Sequence, residues 1–131
     1  LLPPASDAEI LNVFGKLDYQ LSNDVRKLYS LAGGFQDSYM DRLWSWWSLD
    51  RIREENKIRR PSFVWFADYL LNSHLYCFHY ENPDVSSVYI DCYAQSKSHP
   101  PDCLIAASVT EFFQKYLKSP DEVEAWVLDA V

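Results

Sequence analysis

The segment from residue 62 to residue 108 constrains the fold most, because it holds four short runs typical of β-strands. The runs are SFVWFAD at 62–68, HLYCFHY at 74–80, SSVYIDCY at 86–93 and CLIAAS at 103–108. Turn residues separate them, and ENPD at 81–84 is a turn of hairpin length. The segment therefore predicts a mostly antiparallel sheet.

The third run alternates in the way expected of a strand with two different faces. Val88, Ile90 and Cys92 share one face and are expected to be core. Tyr89, Asp91 and Tyr93 share the other. That second face is either open to a partner or covered by a helix, and the pattern leaves both alternatives open.

Helix-start signals lie on both sides of the four runs. SDAE at 6–9, SVTE at 108–111 and SPDE at 119–122 fit the capping box, in which a serine and a glutamate satisfy each other's backbone N–H groups. Ser22 predicts the start of a second helix, which Gly33–Gly34 is expected to end, because glycine adopts the left-handed cap without steric cost.

A strand near 43–47, followed by a short helix that starts at Ser48 and ends before Pro61, completes the pattern. The element order is α-α-β-α-β-β-β-β-α-α. The sequence thus predicts an α+β fold, one domain over residues 1–131, with N- and C-terminal helices packed on a central sheet.

The stretch SWWSLDRIREENKIRR at 45–60 contains five of the chain's 12 basic residues. Glu54 and Glu55 interrupt these residues, and Arg51 and Glu55 form a favourable i, i+4 pair. A solvent-exposed helix face with salt bridges explains the stretch better than a phosphate-binding surface. Trp46 and Trp47 are expected to anchor this helix on the sheet.

The net charge of −7 belongs entirely to the second half of the chain. Residues 1–60 hold nine acidic and nine basic residues, whereas residues 61–131 hold ten acidic and three basic ones. This distribution argues against binding to DNA or RNA, which requires clustered positive charge. It suits a basic protein partner attracted over long range, although mild acidity also serves solubility.

The residue patterns of common catalytic and metal sites are missing from the sequence. The three glycines all lie at or before position 34, and there is no GxSxG, HExxH or paired Cys/His spacing. Cys77 and His79 share a strand face, which is a weak indication of a nucleophile pair. The sequence predicts no enzyme activity, no metal and no cofactor.

Cysteine usage and hydropathy bear on the compartment. Cys77, Cys92 and Cys103 include no CxxC pair, so buried reduced thiols are expected, with a Cys77–Cys92 bridge as the alternative. No apolar run approaches the roughly 20 residues that span a bilayer. The prediction is a cytoplasmic protein without a membrane segment, although the start at Leu1 leaves an upstream leader open.

Four motifs in order resemble the SUKH superfamily, which includes many bacterial immunity proteins and fungal cell-wall-assembly regulators. They are LSNDVRKLYSLAGGF at 21–35, the W-x-S-L-x-x-I-x-x-E-N pattern at 46–56, the A-D pair at 67–68 and AASVTEFF at 106–113. The resemblance covers roughly residues 8–118. Ala32 departs from the usual Asn of the N-G-G motif.

The resemblance implies a binding protein. The leading hypothesis is a toxin-neutralising immunity protein that binds and blocks a cognate, basic nuclease-type toxin. The alternative is a cytosolic regulatory or scaffold interaction domain without a toxin partner, and an enzyme is the third hypothesis. The sequence leaves the oligomeric state open. Candidate partner contacts are acidic residues of the second half and tyrosines beside them: Glu81, Asp84, Tyr89, Asp91, Tyr93 and Asp102.

Overall fold

The computed structural model describes residues 2–35, 44–57, 63–69, 74–91 and 103–118, which form an α+β fold. The helices are α1 (Asp7–Lys16), α2 (Asn23–Leu31), α3 (Leu49–Glu55) and α4 (Val109–Lys118), and the strands are β1 (Trp44–Trp46), β2 (Phe63–Tyr69), β3 (His74–Tyr80), β4 (Ser86–Asp91) and β5 (Cys103–Ala106). The predicted element order is confirmed through α4. The predicted last helix, Cys92 and Tyr93 lie outside the described residues, and a single domain over 1–131 stays a prediction.

The five strands form one sheet in the order β1-β2-β3-β4-β5, with every neighbouring pair antiparallel. One face of this sheet, the core face, is fully buried at Val64, Phe66, Tyr76, Phe78, Val88 and Ile90. Phe66 and Phe78 stack with ring centroids 3.8 Å apart. Helix α4 packs on this face, where Phe112 contacts both Phe66 and Tyr76.

Three of the predicted helix starts follow the capping pattern. The Ser6 and Glu9 side chains bond reciprocally to each other's backbone N–H groups, and the Ser48 hydroxyl accepts from the Arg51 N–H at 3.2 Å. The Ser108 hydroxyl accepts from the Glu111 N–H at 3.0 Å. These bonds satisfy N–H groups that a helix leaves without intrahelical partners.

Ser22 is the N-cap residue of α2, as predicted, but its side chain makes no capping bond, because its hydroxyl donates to the Asp24 carboxylate at 2.6 Å. That carboxylate also accepts the Ser86 N–H at the start of β4 and the Val109 N–H at the start of α4. Asp24 therefore joins α2, β4 and α4 at one point. Charge-assisted bonds of this kind are about twice as strong as neutral ones.

The prediction that Gly33–Gly34 provides the left-handed cap of α2 is wrong. The helix ends at Leu31, and the residue after it, Ala32, is extended with φ −159°. Gly34 has φ +98°, and a Cβ there would lie 2.5 Å from the Trp47 carbonyl oxygen. Glycine is needed at this position for close backbone approach and for its positive φ.

The tryptophans of the basic stretch are core, as predicted. Trp46 is 5% exposed and Trp47 is 1% exposed. The Trp47 indole N–H donates to the Asp68 carboxylate at 2.5 Å. The Arg51 guanidinium lies 3.1 Å from the same carboxylate and 4.4 Å from the centre of a Trp47 ring. Arg51 thus belongs to a structural cluster, which corrects its assignment to a solvent-exposed helix face.

Helix α3 also closes the edge of β2 beyond the end of β1. The Asn56 side chain, which is 2% exposed, accepts the Trp65 N–H at 2.9 Å and donates to the Trp65 carbonyl at 2.9 Å. The Trp47 N–H donates to the Phe66 carbonyl at 2.8 Å. One amide side chain therefore replaces the strand that β1 is too short to provide.

Replacing Asn56 by alanine is expected to destabilise the fold by about 2–4 kcal/mol. The reason is that the Trp65 N–H and carbonyl lose their partner at a part-buried position, where each unmet group costs about 1–3 kcal/mol. Urea unfolding measures the loss. The matched control is Asn12→Ala on the exposed side of α1, which is expected to change stability by less than about 0.5 kcal/mol. Equal effects of the two variants would contradict the role given to Asn56.

Candidate functional site

The second face of the sheet carries a group of rings and one exposed leucine, which we call the outer face: Phe63, Trp65, His79, Tyr89 and Leu104. Strand register brings them together, because Phe63 pairs with His79, Trp65 with Cys77, Cys77 with Tyr89, and Tyr89 with Leu104. Directly paired residues of antiparallel strands project from the same face. Leu104 is 54% exposed.

Three rings of the outer face contact one another. The Phe63 centroid lies 4.7 Å from that of His79 and 5.5 Å from that of Tyr89, and His79 and Tyr89 are 5.7 Å apart. All three side chains are half-buried, and none belongs to the buried core cluster. The arrangement forms a preordered aromatic surface.

Glu81 lies at the end of β3 and borders this surface. Its carboxylate accepts the Ser87 hydroxyl at 2.7 Å and the His79 Nδ1–H at 2.9 Å. These two bonds, that from Ser87 first, hold the pKa of Glu81 below its usual range. The Glu81 side chain is 42% exposed, so it presents a fixed negative charge next to the rings.

The structure brings only part of the predicted contact set to the outer face. Tyr89 and Glu81 are linked by His79, whose ring contacts Tyr89 and whose Nδ1–H bonds to the Glu81 carboxylate. Asp91 lies two residues further along β4 and is the register partner of Leu75. Asp84 is in the hairpin loop, where it accepts the Asn23 side-chain amide at 2.9 Å and so helps to join that loop to α2. Tyr93 and Asp102 lie outside the described residues.

Sequence reasoning missed Phe63, Trp65 and Leu104 as members of this surface. Each lies in a run that was correctly expected to be a strand, but a strand pattern alone does not say which residues of separate strands become neighbours. The alternation around Tyr89 was the available signal. Strand register was needed to extend it across β2 and β5.

A second surface follows α1 and α3, where three shallow grooves of about 290, 320 and 530 Å³ lie. The largest is lined in part by Lys16, Arg53 and Lys57. Arg53 pairs with Asp50 at 3.0 Å, and Lys57 pairs with Glu54 at 2.7 Å. These two residues match the predicted salt-bridged helix face.

Cys77 and His79 have very different surroundings, although the sequence places them on one strand face. Cys77 is a fully buried thiol, whereas His79 is half-buried and bonded to Glu81. Within the described ranges, no group of three or more histidine, cysteine, aspartate or glutamate side chains could hold a metal ion. No helix among those residues is long and apolar enough to cross a membrane.

Comparison with known proteins decides the family. The model of the SMI1/KNR4 family (SUKH-1) matches residues 4–115. The chain belongs to this family. The resemblance inferred from the four sequence motifs is therefore confirmed. The residues that match the SUKH-1 model include helices α1 to α3, the whole sheet and most of α4. No curated protein and no solved structure matches this SUKH-1 chain at a significant level.

Replacing Ser87 by alanine is expected to raise the pKa of Glu81 towards its usual range, because the larger of its two stabilising bonds is lost. Carboxyl-detected NMR titration measures it. A lowered folded-state pKa adds stability that is present at neutral pH and lost as pH falls through that pKa. The Ser87→Ala variant should therefore lose less stability on acidification than the parent chain.

The control for this change is Ser30→Ala, because the Ser30 hydroxyl is exposed and donates to the Lys27 carbonyl. It is expected to leave the pKa of Glu81 unchanged. An unshifted Glu81 in Ser87→Ala would show that the hydroxyl does not set its charge.

Proposed function

We propose that this SUKH-1 chain is an immunity protein that binds a cognate, basic nuclease-type toxin and blocks it. Family membership supports a binding role, since SUKH domains are often immunity proteins. The observation that carries the proposal is the charge of the sheet region. Residues 61–96 contain Asp68, Glu81, Asp84 and Asp91 and not one lysine or arginine.

An acidic surface can inhibit a nuclease by occupying the place of its substrate. A nuclease presents basic side chains to phosphates, and fixed carboxylates satisfy the same groups. Long-range attraction also speeds the encounter of the two proteins. Glu81, Asp84, Asp91 and Asp102 supply the charge in this proposal, and Tyr89 and Tyr93 supply the contact area, since tyrosine is frequent at binding hot spots.

Three basic residues of the described chain have acidic partners within it. Arg51 and Arg53 lie on α3 and Lys57 follows its C-terminal end, and each has an acidic partner within 3.1 Å. The Arg51 pair is largely buried within the fold, whereas the Arg53 and Lys57 pairs are exposed to solvent. The second candidate function, a regulatory interaction domain, would use the same acidic surface for a partner that is not a toxin.

A growth assay separates these two candidates. The protein encoded immediately upstream, where a toxin gene is expected, is produced in cells with and without this chain. Toxicity that this chain relieves supports the immunity function. A non-toxic upstream product, or toxicity that the chain leaves unrelieved, would contradict it and favour the regulatory domain.

Reversing Asp91 and Asp102 to lysine is expected to slow association with that toxin about tenfold or more and to flatten its salt dependence, since attraction is screened beyond about 10 Å at 0.1 M salt. Glu81 and Asp84 are left unchanged, because both accept hydrogen bonds within the fold. Stopped-flow fluorescence measures the rate.

The matched control is the double reversal of Asp7 and Glu55, which changes the net charge equally at exposed positions on α1 and α3. It is expected to slow association much less. Equal slowing by the two pairs would show that net charge alone matters, and would remove the acidic half as the binding side.

A further inference from the structure

We propose that the outer face is the docking surface, and that its occupant is a basic protein segment carrying lysine or arginine beside an aromatic or aliphatic side chain. This inference rests on the proposed function in one respect, because it assumes that the chain binds a protein partner. Its first support is composition. Within the described residues the outer face combines the exposed Leu104 with three half-buried rings and with Trp65, which also packs against the core cluster, and β2 to β5 contain no lysine or arginine.

Packing is the second support. Phe63, His79 and Tyr89 are already fixed by ring contacts of 4.7–5.7 Å, so little side-chain entropy is lost when a partner covers them. The buried Cys77 lies beneath, between its register partners Trp65 and Tyr89. Rigid aromatic surface of this kind is typical of binding hot spots.

Charge is the third support, and it selects the partner. Glu81 borders the rings with a carboxylate that hydrogen bonds from His79 and Ser87 hold in place and whose pKa is lowered. A second copy of this chain would bring more negative charge towards this carboxylate. A basic segment would instead pair with it, and its cations could also lie over the aromatic rings.

The exposed leucines of the chain provide a matched pair of variants. Leu104→Arg puts a cation on the outer face, whereas Leu31→Arg puts one at the end of α2, where the leucine is 67% exposed. Leu104→Ser removes the apolar group without adding charge. Thermal unfolding verifies that each variant retains the fold of the parent chain.

The probe is a synthetic peptide of net charge +5, built from arginine, lysine, glycine and one tryptophan. A control peptide has serine in place of the tryptophan. Both are titrated into the isotope-labelled full chain and followed by NMR. We expect the tryptophan peptide to shift signals of Phe63, Trp65, His79, Tyr89 and Leu104. We expect Leu104→Arg to weaken binding at least about tenfold, Leu104→Ser less, and Leu31→Arg not at all.

Three results would overturn the inference. The first is that neither peptide binds, and the second is that the shifts centre on α1 and α3. The third is that sedimentation shows a dimer which Leu104→Arg dissociates, because the occupant would then be a second copy. The growth assay separates this inference from the proposed function. If Leu104→Arg still relieves toxicity fully, the face is wrong and the function stands; if the parent chain relieves none while the peptide binds at the outer face, the function is wrong and the face stands.

Discussion

The backbone of β2 needs hydrogen-bond partners over a longer stretch than β1 can supply. β2 has seven residues and β1 has three, and β1 pairs only with residues 67–69. The Asn56 side chain and the Trp47 N–H satisfy Trp65 and Phe66 on the same edge. An unpaired strand edge costs free energy when it is buried and promotes aggregation when it is exposed. Helix α3 therefore packs beside β2 and supplies the missing hydrogen bonds.

That constraint explains why the basic stretch at 45–60 contributes to the stability of the fold. Once α3 is fixed at the β2 edge, Arg51 reaches the Asp68 carboxylate that also accepts the Trp47 indole N–H. Removing either charge would leave the other poorly compensated in a nearly buried site. Arg51 thus stabilises the junction of α3 with β2.

Local patterns predicted much of the fold. Alternation in β4 placed Val88 and Ile90 in the core, and the serine caps of α1, α3 and α4 marked those helix starts. The tryptophans at 46 and 47 were also correctly assigned as core, because aromatic residues next to a capped helix need a packing partner. Such signals depend on residues close in sequence, where a few side-chain and backbone groups decide the outcome.

Long-range contacts account for what the sequence did not reveal. Asp24 bonds to Ser86 and Val109, which are 62 and 85 residues away. A sequence pattern that marks the start of α2 could not show that Asp24 also joins α2 to β4 and α4. Arg51 has Glu55 within its own helix yet meets Asp68 across the fold. The outer face was predicted only in part for the same reason. Alternation within β4 placed Tyr89 on it, whereas Phe63 and Leu104 could be placed there only from the register of separate strands.

We propose that the sheet recognises the partner and that α1 to α3 hold the sheet in place. Hydroxyl-radical footprinting of the chain alone and bound to the proposed upstream-encoded toxin tests this most directly, because it reports the exposure of individual side chains. The predicted result is lower oxidation of Leu104, Tyr89 and Phe63 in the complex, with Leu11 on α1 and Leu31 on α2, both exposed, unchanged. Protection of Leu11 or Leu31 with Leu104 unchanged would contradict the account.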